Sequence, residues 1–362
     1  MMFEATRRAM VSFGALAMAA AARNPNDSAT EIVDLERFGV NPSNNDNSAA
    51  LQTAFDSAAA KNGPVFVLPA GKYRVSRPLR IHHPMTLLGT ASYDLNSRAC
   101  GSVIAGEAFS APLLACEPAD GDRLRGLCIS GVLFDCGHRT NGIAFRGCAD
   151  FAVARVGVRA STGFGIELRN SWDAAIVDAF VSECGTADAR TGAIDITGEP
   201  FADNSNSLHF IASRVESSRG PSLIIHSALP GSGPNNNIQF VACKFHHPAS
   251  DRSTPPTPNL VLQPAEAISF HGGQIFDAGR GFPVIEFGID RSVDAGYAFF
   301  GCDIDVRVGD ALLGGQFGLG HRFFGCTFRA DPGTVRKKVL HRVKSEDVRR
   351  LKDLNNLYRI AT

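Results

Sequence analysis

The chain of 362 residues has no excess of either charge, because 36 Lys and Arg are balanced by 36 Asp and Glu. A balanced chain carries no global electrostatic footprint for a nucleic acid, and no Lys/Arg stripe interleaved with aromatics runs through it. There is a single Trp, and the nine cysteines include no C-x-x-C pair. That absence removes the short ligand spacing of a zinc site and the dithiol of a redox motif. The apolar, alanine-rich stretch at 10–22 is too short to anchor stably in a bilayer. Helical repeats are also excluded, since apolar residues do not recur at i, i+3, i+4 and i+7 through the body of the chain.

What the chain has instead is a period. The stretch 238–245 (IQFVACKF) alternates apolar and polar residues, pauses at a small pair and ends on a large apolar residue. The same figure returns at 208–215 (LHFIASRV), 268–275 (ISFHGGQI), 297–304 (YAFFGCDI) and 321–328 (HRFFGCTF). Weaker copies fall at 174–181, 151–158 and 127–134. Its third place is Ile129, Val153, Ile176, Phe210, Phe240, Phe270, Phe299 and Phe323, in steps of 24, 23, 34, 30, 30, 29 and 24 residues. Units of this size bury their apolar face only against a neighbour, which is the signature of a solenoid. A second short strand precedes each copy, as in GIEL at 165–168 and AIDI at 193–196. Three short strands per unit predict an all-β fold, a single-stranded right-handed parallel β-helix of seven to nine coils. The small pair in mid-motif (Ala212-Ser213, Gly272-Gly273, Gly301-Cys302) is the tight bend between strands, where positive φ favours glycine. Cys243, Cys302 and Cys326 share its second place with Ser213 and Ala179, so they read as small core fillers.

Residues 1–22 read as an export signal, with Arg7-Arg8 ahead of the alanine-rich core, and 23–32 as a flexible start. The β-helix domain is assigned to 33–334, with an N-terminal cap at 33–90. Residues 91–126 give few signals. Residues 335–362 hold nine Lys or Arg against three Asp or Glu, with Val348, Leu351, Leu354 and Leu357 at near-helical spacing. They read as a basic C-terminal cap or tail.

Within the cap, VDLERFGV at 33–40 precedes a polar turn and a helix at 48–61, opened by Asn47 and stopped at Gly63. VFVLPAGKYRV at 65–75 and MTLLG at 85–89 follow. This order, with Phe38-Gly39, Asp46, Ala50-Leu51-Gln52, Pro69, Gly71, Tyr73 and Gly89, resembles the opening of the pectate-lyase superfamily. The family's Gly-Asp-Gly turn is replaced by PSNND at 42–46. The resemblance implies a parallel β-helix whose first coil is plugged by the helix. It leaves the chemistry open, since family members include lyases, hydrolases and tailspike-like proteins.

The strand register places Ile166, Leu168, Ile194 and Ile196 inward, so Glu167 and Asp195 project from adjacent coils about 4.8 Å apart. Arg169, Thr197 and His226 extend the same face. The resemblance implies that catalysis would sit on this strand and its bordering loops. TGAIDI at 191–196 is similar to part of the polygalacturonase stretch NTDGIDI, but that family's Asp-Asp, Gly-His-Gly and Arg-Ile-Lys motifs are absent. Two chemistries suit the face. Hydrolysis needs one protonated and one ionised carboxyl. β-Elimination from a uronate needs a base and a cation, supplied by Arg169 or His226, with Ca²⁺ on Glu167 and Asp195 as an option. The competing reading is an ion-paired, solvated sheet face, with Glu167 and Asp195 bonded to Arg169 or Arg190. Arg190, Asp203, Arg214 and Lys244 are the expected sugar-binding residues, Arg214 and Lys244 on a separate patch with Glu216 and His246. Loops 197–207, 226–237 and 288–296 would wall the groove. The expected partner is thus an acidic polysaccharide outside the cytoplasm. The alternative is a non-catalytic glycan-binding or adhesin-like protein.

Overall fold

The structure is a computed structural model. It describes residues 31–90, 101–247, 256–288, 296–309, 311–315 and 321–330, together with the backbone of Lys338–His341, Lys352–Leu354 and Leu357–Ile360. Three parallel sheets of 13, 11 and 10 strands run the length of a parallel β-helix. The third-place residues of the repeat form one continuous ladder. Ile129 pairs beside Val153, Val153 beside Ile176, and so on through Phe210, Phe240, Phe270, Phe299 and Phe323. Inside the solenoid the five phenylalanines stack almost flat, with ring centroids 4.6–4.8 Å apart. This is the coil spacing itself, so each ring packs on both faces.

The bend after the motif strand is left-handed in every copy. Its first residue has φ of 49–65° at Gly131, Arg155, Asp178, Ala212, Ala242, Gly272, Gly301 and Gly325. Only some copies use glycine, so the corner tolerates a modest strain at the others. The cysteines behind it are buried, and each thiol donates to the carbonyl of a third-place Phe on the preceding coil. Cys243 bonds Phe210 at 3.4 Å, Cys302 bonds Phe270 at 3.5 Å and Cys326 bonds Phe299 at 3.4 Å. Ser213 does the same to Ile176. Burial pushes the Cys243 thiol up to about 12, which suits a filler rather than a nucleophile.

The solenoid is longer than seven to nine coils, because sheets of 11 and 10 strands require ten or eleven. The ladder extends back through Leu87 and Phe66 to Val33. Residues 91–126 give few signals in the sequence and yet belong to the solenoid, since Ser102–Gly106, Pro112–Cys116 and Leu124–Arg125 supply strands to all three sheets. Apart from Phe66, the ladder positions of these early coils are Val33, Leu87, Ile129 and Val153 in place of Phe, which hides the period. At the other end, Lys338–His341, Lys352–Leu354 and Leu357–Ile360 add one strand to each sheet. Leu354 and Leu357 therefore lie on strands rather than on one face of a helix. Val348 and Leu351 lie outside the described residues, as does the segment read as an export signal.

The cap helix runs Ser48–Asp56 and continues as a 3-10 turn, Ser57–Ala60. Its buried Leu51, Ala54 and Phe55 cover the open end of the first coil, Phe55 meeting Phe66 edge-on at 6.4 Å. Asn47 does not cap it through its side chain. Asp46 does the work instead, accepting from the Ser48 backbone N–H at 2.9 Å and from the Ser76 hydroxyl at 2.7 Å. Gln52 seals the sheet edge beside it. Its amide donates to the Arg80 carbonyl at 3.0 Å and accepts from the Arg80 N–H at 2.9 Å, imitating the missing neighbour strand.

One buried side chain should make the fold sensitive to mild acid. His247 is fully buried, with Nε2 3.1 Å from the Thr257 hydroxyl and Nδ1 without a partner among the described residues. Burial disfavours its charged form and brings it down to about 4, against an opposing pull from Asp277. The unfolded chain takes up this proton near its ordinary 6.5, so stability is intact above that pH. It is lost as pH falls from 6.5 to 4, by about 3 kcal/mol at roughly 1.4 kcal/mol per unit. Urea unfolding at pH 7, 5.5 and 4 should show this slope in the wild type and a flatter one in His247→Gln. Equal slopes in both proteins would place the acid sensitivity elsewhere.

Candidate active site

Two strands of the third sheet, Ile166–Arg169 and Ile194–Thr197, lie side by side with Glu167 opposite Asp195. Ile166, Leu168, Ile194 and Ile196 are buried in the core, as the alternation requires. Both carboxylates point away from the core and yet are nearly inaccessible, at 4% for Glu167 and 6% for Asp195. They do not sit on a solvated sheet face. Along the same outward row the neighbouring coils carry Ala144 and Ile224, both buried. The two carboxylates thus sit side by side with an apolar neighbour on each flanking coil.

Each carboxylate is held by the residue two places further along an adjacent strand. Arg146 donates from Nε to Glu167 Oε2 at 2.7 Å, while Arg169 donates from Nη2 to Oε1 at 3.0 Å. Asp195 Oδ1 lies 2.9 Å from His226 Nε2, and its Oδ2 accepts the Gly192 N–H at 2.9 Å. His226 is clamped by its own backbone, which donates to Ile196 O at 2.9 Å and accepts from the Asn235 amide at 2.8 Å. Facing an ionised carboxylate, which only accepts, a neutral ring would carry its proton on Nε2 and its lone pair on Nδ1. The His226 side chain is 26% exposed, whereas that of Asp195 is 8% exposed. The imidazole therefore stands between a buried anion and the solvent.

These groups floor a cavity of about 460 Å³, lined further by Asn141, Phe164, Thr186, Arg190 and Thr191. Its wall comes from the loops that lead into the third sheet, above all 183–193, which is much longer than the equivalent 160–165 and 217–222. That loop closes on itself, with the Thr186 N–H donating to Thr191 O at 2.9 Å and the Thr191 N–H to the Thr186 hydroxyl at 3.0 Å. The sheet comes close enough to these loops because of Gly142 and Gly165, since a Cβ on Gly142 would meet the Gly165 carbonyl oxygen at 1.9 Å. Of the loops expected to form the wall, 197–207 and 226–237 stack on the opposite edge, where the Phe201 N–H donates to Pro230 O at 2.8 Å, and most of 288–296 lies outside the described residues.

The remaining sugar-binding candidates are dispersed. Arg190 stands at the cavity rim, 85% exposed and paired to Asp188 at 3.1 Å. Asp203 braces a loop instead, 3.4 Å from Arg123, whose guanidinium lies 3.6 Å from the centre of the Trp172 ring. Arg214 and Lys244 do stack in register with Glu216 beside His246, but on a different sheet from the cavity. Lys244 is taken up by Glu216 at 2.8 Å, and Arg214 lies over Phe180. Arg146, through Glu167, and Thr186 belong to the site and carry no motif, while Thr191 opens the TGAIDI stretch. The 34-residue step from Ile176 to Phe210 is the sequence signal that marks the inserted loop.

The donor set does not suit Ca²⁺. Such an ion takes six to eight oxygens, whereas both Glu167 oxygens face guanidinium donors and Asp195 faces an N–H and an imidazole. Among the described residues no group of three His, Cys, Asp or Glu side chains converges on one point.

A family model described as "Rhamnogalacturonase A/epimerase, pectate lyase-like" matches residues 33–112, the stretch that holds the cap and the first coils. The fold is a pectate-lyase-like parallel β-helix. Among solved structures, ORF18 of Geobacillus virus E2 superposes with a TM-score of 0.71 at 20% identity, covering 90% of this chain and 61% of that one. This chain therefore spans about three fifths of that viral protein. The A-module of the mannuronan C-5 epimerase AlgE4 from Azotobacter vinelandii gives 0.61 at 15% identity, covering 92% and 98% of the two chains. The catalytic unit of a GH87 α-1,3-glucanase from Streptomyces thermodiastaticus gives 0.52 at 14%, covering 93% and 70%. At these identities the likeness is one of fold. No curated protein sequence matches the chain.

Proposed function

We propose that the protein is a carbohydrate-active enzyme that cleaves a uronate-containing polysaccharide by β-elimination, with His226 as the base. The observation that carries this is the Asp195–His226 pair, 2.9 Å apart, placed in a cavity that also presents Arg169 and Arg190. A uronate carboxylate drawn to the arginines is partly neutralised, which acidifies the adjacent C5–H. Nδ1 of His226 takes that proton, and Asp195 holds the ring and stabilises the imidazolium. The C5–H electron pair becomes the C4–C5 double bond, the C4–O bond breaks, and the departing oxygen takes a proton from solvent.

Hydrolysis by Glu167 and Asp195 fits the geometry less well. Each Glu167 oxygen already accepts from an arginine, so the carboxyl is held toward Arg146 and Arg169 rather than turned toward a glycosidic oxygen. Glu167 is better read as the group that positions Arg146 and Arg169. Proteins named as an epimerase and a glucanase share the fold, in keeping with a sugar substrate. Export through the arginine pair at 7–8 belongs to the same proposal, and cell fractionation of the full chain tests it.

Incubation with a panel of uronate polymers tests the chemistry. Unsaturated products absorbing in the ultraviolet are expected. New reducing ends without that absorbance would replace elimination with hydrolysis. Binding without any product would make the protein a glycan-binding β-helix.

A further inference from the structure

The loop after Thr197 holds a side chain that the proposed chemistry does not use. Phe201 is 84% exposed, the most exposed large apolar side chain among the described residues. Its backbone sits at φ +58°, a left-handed conformation that is an outlier for a bulky residue and costs energy to hold. A lone exposed apolar residue needs no explanation, but one held out at a cost in backbone strain does.

The surroundings fix it there. The turn beneath is closed by the Glu199 N–H to Asp203 O at 2.8 Å and by the Ala202 N–H to Glu199 O at 3.2 Å. The Phe201 N–H donates to Pro230 O on the next loop at 2.8 Å, and Arg123 pairs with Asp203 at 3.4 Å. The neighbouring loop makes room, since a Cβ on Gly231 would come within 2.8 Å of the Phe201 ring and 3.2 Å of its Cα. The same turn reaches the cavity, because Glu199 lies 3.7 Å from Nε of cavity-lining Arg169. Four residues span at most about 14 Å of chain, so the ring stands within an oligosaccharide's length of Thr197 on the cavity floor.

We propose that Phe201 is an aromatic platform for a sugar ring, a subsite on the cavity lip that binds the chain beyond the residue being cleaved. This rests on the sugar-binding reading of the cavity. A flat apolar face packs against the C–H face of a pyranose, and a side chain with two χ angles loses little entropy in doing so. Because the contact lies away from the reacting bond, its binding energy serves long substrates and leaves the shortest ones unaffected.

Calorimetric titration with uronate oligomers of increasing length, alongside turnover of the same oligomers, tests the platform on the full chain. Phe201→Ala should weaken binding of long oligomers about tenfold, raise KM for them with kcat held, and leave the shortest oligomer unchanged. Phe201→Trp should bind as wild type. Phe201→Gly should melt higher than wild type while losing the same affinity, since glycine relieves the backbone. Wild-type affinity in Phe201→Ala overturns the platform, and persistent turnover in that protein would leave the elimination chemistry standing. Binding without turnover in wild type would overturn the chemistry alone, with the platform judged on Phe201→Ala. No binding of any oligomer by wild type overturns the platform as well.

Discussion

Replacing His226 by Gln should lower turnover of a cleaved uronate polymer by about 10²–10⁴-fold, the usual loss when a positioned base is removed. The fold should survive, because the residue is held by its backbone and its side chain is partly exposed. Asp195→Asn should lose activity for a subtler reason. The carboxylate accepts two bonds, one from the Gly192 N–H and one from His226. An amide has a single acceptor oxygen. If that oxygen stays with Gly192, the amide N–H₂ faces Nε2, which must then give up its proton to Nδ1. The lone pair needed for C5–H is gone from the side facing the cavity. A surface carboxylate would leave stability nearly untouched, with pairs worth roughly 0–1 kcal/mol. Asp195 is 6% exposed, so mismatched bonds here should cost about 1–3 kcal/mol. Thermal melting with steady-state kinetics on both variants checks the pair. Full turnover in His226→Gln would remove it from the mechanism.

The contrast between Glu167 and its surroundings marks how far sequence reasoning reached. The Phe ladder, the left-handed corners and the pairing of Glu167 with Asp195 were all legible, because a period-2 strand inside a fixed repeat leaves one register. The burial of that pair was not, because it depends on what lies over the sheet. Arg146 reaches Glu167 from a strand 21 positions earlier, and the loop 183–193 covers the floor from the far side. Nothing in the local pattern states which edge an inserted loop will cover. The wall was therefore expected from 197–207 and 226–237 when it comes from the loops on the opposite edge. The early coils were under-read for the reverse reason, since Ser102–Gly106 and Pro112–Cys116 form regular strands without an aromatic to mark the period.

The second large effect belongs to the core. Phe240 lies mid-ladder, 1% exposed, with Phe210 at 4.8 Å on one side and Phe270 at 4.6 Å on the other. It also meets Phe245 edge-on at 5.7 Å, across the corner of its own coil. Phe240→Ala should cost about 3–5 kcal/mol, because removal of the ring leaves a cavity that its neighbours cannot fill. Relaxation is blocked in a specific way. Phe270 is fixed by the strand ladder and by Phe245 and Phe299, and Phe210 by the strand ladder, so neither can move into the gap without breaking parallel pairing. Phe240→Leu keeps most of the volume and loses the stacking, at about 0.5–1.5 kcal/mol per aromatic pair, so it should fall between wild type and alanine. In a solenoid each coil contacts only its neighbours, which adds a spatial signature. Hydrogen exchange in Phe240→Ala should rise first in the strands Asn206–Ile211, Asn236–Val241 and Glu266–His271. Protection in the cap helix Ser48–Asp56 should hold, and uniform loss along the whole chain would show that the coils unfold as one unit.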